Sequence, residues 1–154
     1  MSEIERKFLV RRPPTDLDAY PHAQIEQGYV ALDDEVEVRI RRYGTQSFLT
    51  IKSGGDQVRL EEEFEIDARR FHTLWPLTDG RRIEKTRYVI PAGGGLRIEL
   101  DVYHGRLDGL LSAEIEFDSS PAAATFTPPD WLGAEVTDDP RYKNKRLAIN
   151  GIPT

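Results

Sequence analysis

The chain predicts an α+β, mainly β protein of about eight antiparallel strands, and three observations carry that reading. Charged and apolar residues alternate along many short stretches, as strand geometry requires when one face is wet and the other packed. Turn signals separate those stretches at hairpin distances, and helix signals are confined to a few insertions. With 154 residues, 38% of them hydrophobic, the chain is long enough to bury a real core and is expected to form one domain over residues 1–154.

The first strand is expected at residues 3–10, where Glu3, Glu5 and Lys7 share one face, and it stops at Arg11-Arg12-Pro13-Pro14. A helical turn fits around Asp16–Tyr20. The next strand, 24–32, turns at Asp33-Asp34 into 35–43, where Glu35, Glu37, Arg39 and Arg41 alternate with Val36, Val38 and Ile40. A turn near Gly44-Thr45 leads to 47–53, and Gly54-Gly55-Asp56 is a hairpin signal before 58–66. Asp67 is an N-cap residue followed by Phe71, Leu74 and Trp75 at helical spacing, a run that Pro76 ends. Strands at 81–90 and 96–104 flank Pro91-Ala92-Gly93-Gly94-Gly95, and 110–118 completes the set of eight. A helix-like stretch then begins at Ser119-Ser120-Pro121-Ala122 and is interrupted by Pro128-Pro129. A final short helix is expected from Asp139-Pro140-Arg141 through Ile149, with Pro140 in its first turn. A sheet of eight antiparallel strands can close into a barrel, which removes its exposed edges.

Composition narrows the function classes. A net charge of −6 argues against a general nucleic-acid binder, yet permits a small polyanion where Arg and Lys converge. Without cysteine there is no disulfide framework, thiolate metal site or cysteine nucleophile, which fits a cytoplasmic setting. The N-terminal residues lack the apolar core of a signal peptide, and no apolar run approaches the ~20 residues that span a bilayer.

The alternating charges are of both signs. Glu61, Glu63 and Glu65 recur at every second position, as do Arg97, Glu99 and Asp101, and Glu114 and Glu116. Patterning alone leaves two arrangements open: apolar rows inside and charges in solvent, or charges lining the interior with helices covering an apolar exterior. In the second arrangement, carboxylate pairs two residues apart offer the oxygen donors that Mg²⁺ or Mn²⁺ prefers. Lys7, Arg39, Arg41, Lys52, Arg59, Lys85, Arg87 and Arg97 would meet phosphate oxygens, Arg bidentately. Acids and bases on one surface suit an anion brought in with a metal.

Glu3-Ile4-Glu5-Arg6-Lys7 resembles the E-x-E-x-K signature of the CYTH domain, or triphosphate tunnel metalloenzymes. The motifs Glu37-Val38-Arg39-Ile40-Arg41, Thr50-Ile51-Lys52-Ser53, Glu84-Lys85-Thr86-Arg87-Tyr88, Glu99-Leu100-Asp101 and Glu114-Ile115-Glu116-Phe117 follow in that family's order. Arg141-Tyr142-Lys143-Asn144-Lys145 is similar to its closing-helix motif. The resemblance spans nearly the whole chain, is nearest the short bacterial members, and implies a closed eight-stranded tunnel with a charged interior. It also implies divalent metal, Mg²⁺ or Mn²⁺, at Glu3, Glu5, Glu114 and Glu116, with Glu61, Glu63 and Asp101 as further acidic lining. Triphosphate would be bound by Lys7, Arg39, Arg41, Lys52, Lys85 and Arg87, with Arg59 and Lys143 as outer contacts.

The activity implied is metal-dependent hydrolysis of inorganic tripolyphosphate to pyrophosphate and phosphate. Nucleoside or thiamine triphosphatase, class IV adenylate cyclase and a noncatalytic polyphosphate-binding module are the alternatives. Lys7 with Tyr29 is a candidate general-base pair. A lysine flanked by Glu3 and Glu5 is held in its charged form, so Lys7 is expected mainly to contact phosphate while metal activates the attacking water. No nucleic-acid or membrane partner is expected, and a homodimer is an open option. His22, His72 and His104 lack metal-ligand spacing, Gly93-Gly94-Gly95 lacks the Lys-Ser/Thr of a P-loop, and Trp75 and Trp131 read as packing residues.

Overall fold

The computed structural model describes residues 4–54 and 59–154, so the expected hairpin tip at Gly55-Asp56 and the side chain of Glu3 lie outside the described residues. Nine strands form one antiparallel sheet: β1 (Ile4–Val10), β2 (His22–Leu32), β3 (Val36–Tyr43), β4 (Gln46–Ser53), β5 (Leu60–Ile66), β6 (Arg82–Pro91), β7 (Arg97–His104), β8 (Leu111–Phe117) and β9 (Leu132–Glu135). Three short helices, α1 (Ala68–Leu74), α2 (Ser120–Thr125) and α3 (Asn144–Asn150), accompany them, with single 3-10 turns elsewhere. No described helix is long and apolar enough to cross a membrane.

The strand order β5-β4-β3-β2-β6-β7-β8-β1-β9 corrects two expectations. The described residues form nine strands rather than eight, and the sheet is not closed: β5 and β9 are its two edges. The extra strand is the short Leu132–Glu135, which follows Pro128-Pro129 and pairs with β1 only through Phe8↔Glu135 and Val10↔Leu132, across a shift in register. Closure would require the edges to meet. β9 is only four residues long and its Glu135 is held by Arg6 at 2.7 Å, so it presents little ladder for the seven-residue β5 to pair with. The acids Glu61, Glu62, Glu63 and Glu65 on β5 also discourage pairing of that edge with another chain.

Local chemistry explains the turns and the first helix. Asp33 Oδ1 accepts from the backbone N–H of Glu35 and of Val36, each at 2.8 Å, folding β2 back onto β3. Gly44 takes φ +62° in the β3–β4 turn, a conformation that favours glycine. Asp67 Oδ1 accepts from Arg70 N at 2.8 Å and starts α1, whose buried Phe71 stacks on Trp75 at 5.2 Å. The C-terminal segment begins as a 3-10 turn (Pro140–Tyr142), and α3 starts only at Asn144, later than the single helix expected.

The core is divided between the sheet's two sides. Phe8, Ile98, Leu100, Ala113 and Ile115 pack with Ala123 of α2 and Leu132 of β9, while Ile40 and Ile66 pack with Phe71 of α1. These apolar rows form the outer side, clad by α1, α2 and β9. On the other side, Tyr29, Ile83 and Tyr103 meet Leu147 and Ala148 of α3. That second cluster closes one end of the face that carries the charges.

Candidate active site

In an antiparallel ladder, directly opposed residues project to the same side. The pairs Glu5↔Glu116, Lys7↔Glu114, Glu114↔Glu99, Asp101↔Arg87, Tyr29↔Arg39, Arg39↔Thr50, Thr50↔Glu63 and Lys52↔Glu61 therefore place the alternating acids and bases of β1 and β3–β8 on one face. The sheet curves enough that residues from β1 and β4 line one cavity of about 510 Å³, although five strands lie between them in the ladder. Glu5, Lys7, Tyr29, Arg39, Lys52, Arg59, Glu114 and Lys143 line it, joined by Glu37, Thr137, Tyr142 and Lys145. Arg41, Glu61, Glu63, Lys85, Arg87, Asp101 and Glu116 are not part of that lining.

Lys7 sits where the first strand meets the C-terminal segment. Its Nζ donates to the Tyr142 carbonyl at 2.5 Å and lies 3.5 Å from Glu114 Oε1, while its backbone N–H donates to Thr137 Oγ1 at 3.0 Å. Both Nζ partners are acceptors, which suits a donating ammonium. Tyr29, only 3% exposed, is pushed up from the ordinary phenol value by burial, with the Arg39 cation opposing. A phenol in that state is a poor base near neutral pH.

The two sets of bases have opposite electrostatic surroundings. Asp101, 1% exposed, receives Arg87 Nε at 2.9 Å and Nη2 at 3.0 Å, and its Oδ2 lies 2.8 Å from Lys85 Nζ. Arg87 Nη1 also lies 2.9 Å from Glu99 Oε2. Burial would raise the Asp101 carboxyl, but Lys85 and Arg87 outweigh it and hold the group below its ordinary value. Against burial, Asp101, Glu99 and Glu114 raise Arg87 above its own. On β3, by contrast, Arg39 and Arg41 form no salt bridge among the described residues, and the buried Nε of each has no hydrogen-bond partner. Burial and the neighbouring Arg39 cation lower Arg41, against the pull of Glu63. The β6 bases are paired with acids inside the protein, whereas among the described residues the β3 bases have no salt bridge.

The donor set fits a hard cation in kind. Glu5 and Glu116 are register partners, with Glu114 two residues along the same strand, and all offer carboxylate oxygen. Among the described residues no group of three His, Cys, Asp or Glu is assembled ready to hold a metal.

Two polar features of the charged face escape a reading of the sequence. The Tyr142 carbonyl is backbone, freed because the 3-10 turn ends before α3 begins, so no side-chain pattern reports it. Gln27 lies on the charged face between Ile25 and Tyr29; a polar residue between those apolar neighbours on one strand face was the available signal.

Residues 1–132 match the CYTH domain. The chain belongs to the CYTH domain family, as its motifs suggested. It is 49% identical over 152 residues to an inorganic triphosphatase of Nitrosomonas europaea, covering 97% of this chain and 99% of that protein. An inorganic triphosphatase of Acetivibrio thermocellus is 37% identical over 154 residues, covering 96% of this chain and 94% of that one. Among solved structures, the inorganic triphosphatase NE1496 superposes with a TM-score of 0.84 at 46% identity, over 100% of this chain and 98% of its own.

Proposed function

We propose that this chain hydrolyses inorganic tripolyphosphate to pyrophosphate and phosphate in the cavity, with Mg²⁺ or Mn²⁺ as cofactor. The observation that carries the reading is the pairing of an acid wall, Glu5, Glu114 and Glu116, with β3 arginines that lack a carboxylate partner. An anion would meet the arginines, and a cation arriving with it would meet carboxylate oxygens. The relatives named above support the same substrate. Among the described residues the cavity's aromatic lining is Tyr29, which is buried, and Tyr142, which gives no support to stacking of a nucleobase.

In this reading Arg39 and Arg41 bind and orient the phosphates, with Lys52, Arg59 and Lys143 at the rim. Lys7, aimed by the Tyr142 carbonyl and Glu114, donates to a phosphoryl oxygen on which charge develops. Asp101 acts as the counter-ion that holds Lys85 and Arg87 in place. Glu3, Glu5, Glu114 and Glu116 would hold the metal, with Glu61 and Glu63 on the facing strand. Charge on the phosphate oxygens would be neutralised by such a cation when bound. Water forms the new bond to a terminal phosphorus as the bond to pyrophosphate breaks, and its protons pass to orthophosphate and solvent.

The test is incubation of purified protein with Mg²⁺ or Mn²⁺ and tripolyphosphate, ATP or thiamine triphosphate. Phosphate and pyrophosphate from tripolyphosphate support the proposal. Cyclic AMP from ATP would assign a cyclase, and tight binding without products a binding module.

A further inference from the structure

Sheet pairing sets Gln27 of β2 directly opposite Arg41 of β3 on one side and Ile83 of β6 on the other. Tyr29, two residues on, is opposite Arg39. Gln27 is 1% exposed, yet neither Nε2 nor Oε1 has a hydrogen-bond partner. The buried Nε atoms of Arg39 and Arg41 are equally unpartnered. Four unmet polar atoms thus gather at neighbouring register positions of one face. Buried polar groups are rarely left so, because each has surrendered its water. Three of the four are N–H donors, which makes the cluster short of acceptors. Of the carboxylates nearby, Asp101 holds Lys85 and Arg87, Glu37 is paired with Lys145 at 3.4 Å, and Glu63 pulls on Arg41 without a salt bridge to it among the described residues.

We propose that Gln27 is a substrate-contacting residue, its amide N–H joining the Nε–H groups of Arg39, which lines the cavity, and of Arg41, which lies behind that lining on the same face, in a subsite for one phosphoryl oxygen. A phosphoryl oxygen can accept all three hydrogen bonds, and the Gln27 carbonyl is left to a bound water. The inference rests on the triphosphate reading above and adds to it a neutral residue that selects acceptor chemistry without adding charge. A trapped water would offer the same acceptor oxygen, so the experiment separates the two sources.

The experiment compares wild type, Gln27→Met and Arg39→Gln in steady-state tripolyphosphate hydrolysis with Mg²⁺, together with the thermal midpoint of each ligand-free protein. Met keeps the length of Gln but cannot donate. The expected result for Gln27→Met is a loss of roughly tenfold or more in kcat/KM, carried mainly by KM, with a midpoint equal to or above wild type. A kcat/KM within twofold of wild type overturns the proposal, and a lowered midpoint beside it identifies a structural water. Should Gln27→Met not fold, Gln27→Glu serves. It can pair with Arg41 and raise the midpoint while repelling the anion, and wild-type kinetics in that variant overturn the proposal. Loss in Arg39→Gln without loss in Gln27→Met removes only the role of Gln27, whereas absence of wild-type turnover removes the triphosphatase reading itself.

Discussion

The Lys7 ammonium donates to the Tyr142 carbonyl at 2.5 Å, tying the first strand to a turn 135 residues later. Its aim therefore depends on the C-terminal segment as well as on β1. Lys7→Met is expected to lower kcat/KM for tripolyphosphate by about 10²–10³, the usual cost of removing a donor from developing charge. Lys7→Arg retains a donating cation and is expected to keep clearly more activity. Equal losses in the two variants, read from initial rates, would contradict a donor role and favour a proton-accepting amine.

The two basic walls should respond oppositely to neutralisation. Arg39→Gln is expected to weaken tripolyphosphate turnover strongly while leaving stability within about 1 kcal/mol of wild type, since no carboxylate is stranded. Arg87→Gln breaks a buried network with Asp101 and Glu99 and should chiefly destabilise the fold. Denaturant titration beside kinetics on both variants checks this.

Asp101→Asn removes the carboxylate between two buried cations. The expected loss is roughly 3–5 kcal/mol of unfolding free energy, because Lys85 is left buried without its carboxylate and Arg87 keeps only Glu99. A variant as stable as wild type in urea would show that water or another acid replaces the group.

Stability should also depend on Asp101 in a definite acid range. Its folded value lies below the ordinary 3.8, so its contribution is fully present above that pH. The contribution fades as pH falls through the lower folded value, where protonation breaks both ion pairs. Thermal midpoints measured from pH 6 to pH 2 should drop below pH 4 in wild type. That part of the drop should be absent from Asp101→Asn.

Packing behind the site is equally exposed to test. A Cβ on Gly28 would fall 2.5 Å from Thr78 Cβ, and Thr78 is fully buried beside β2. Gly28→Ala should therefore cost roughly 1–3 kcal/mol in denaturant unfolding, as overpacking does.

Much of this architecture was legible because a strand writes its two faces at alternate positions. Glu5 and Lys7, Arg39 and Arg41, and Glu114 and Glu116 each announced a shared side, and Asp67 announced α1. Closure was not legible, since it turns on whether β5 and β9 meet, and neither edge's sequence reports the other's position. β9 was missed because four residues after two prolines carry too little alternation to register as a strand. The division between the neutralised β6 bases and the unpaired β3 bases was hidden too. It depends on cross-strand register, Asp101 opposite Arg87 and Gln27 opposite Arg41, which no local pattern contains.

Leu147 and Ala148 of α3 rest on Tyr29, Ile83 and Tyr103 at the inner end of the charged face. This greasy stopper keeps bulk solvent from flooding the trough at that end, and so keeps the local dielectric low where the ion contacts operate. Trimming the C-terminus would weaken the site as a whole rather than remove a single contact.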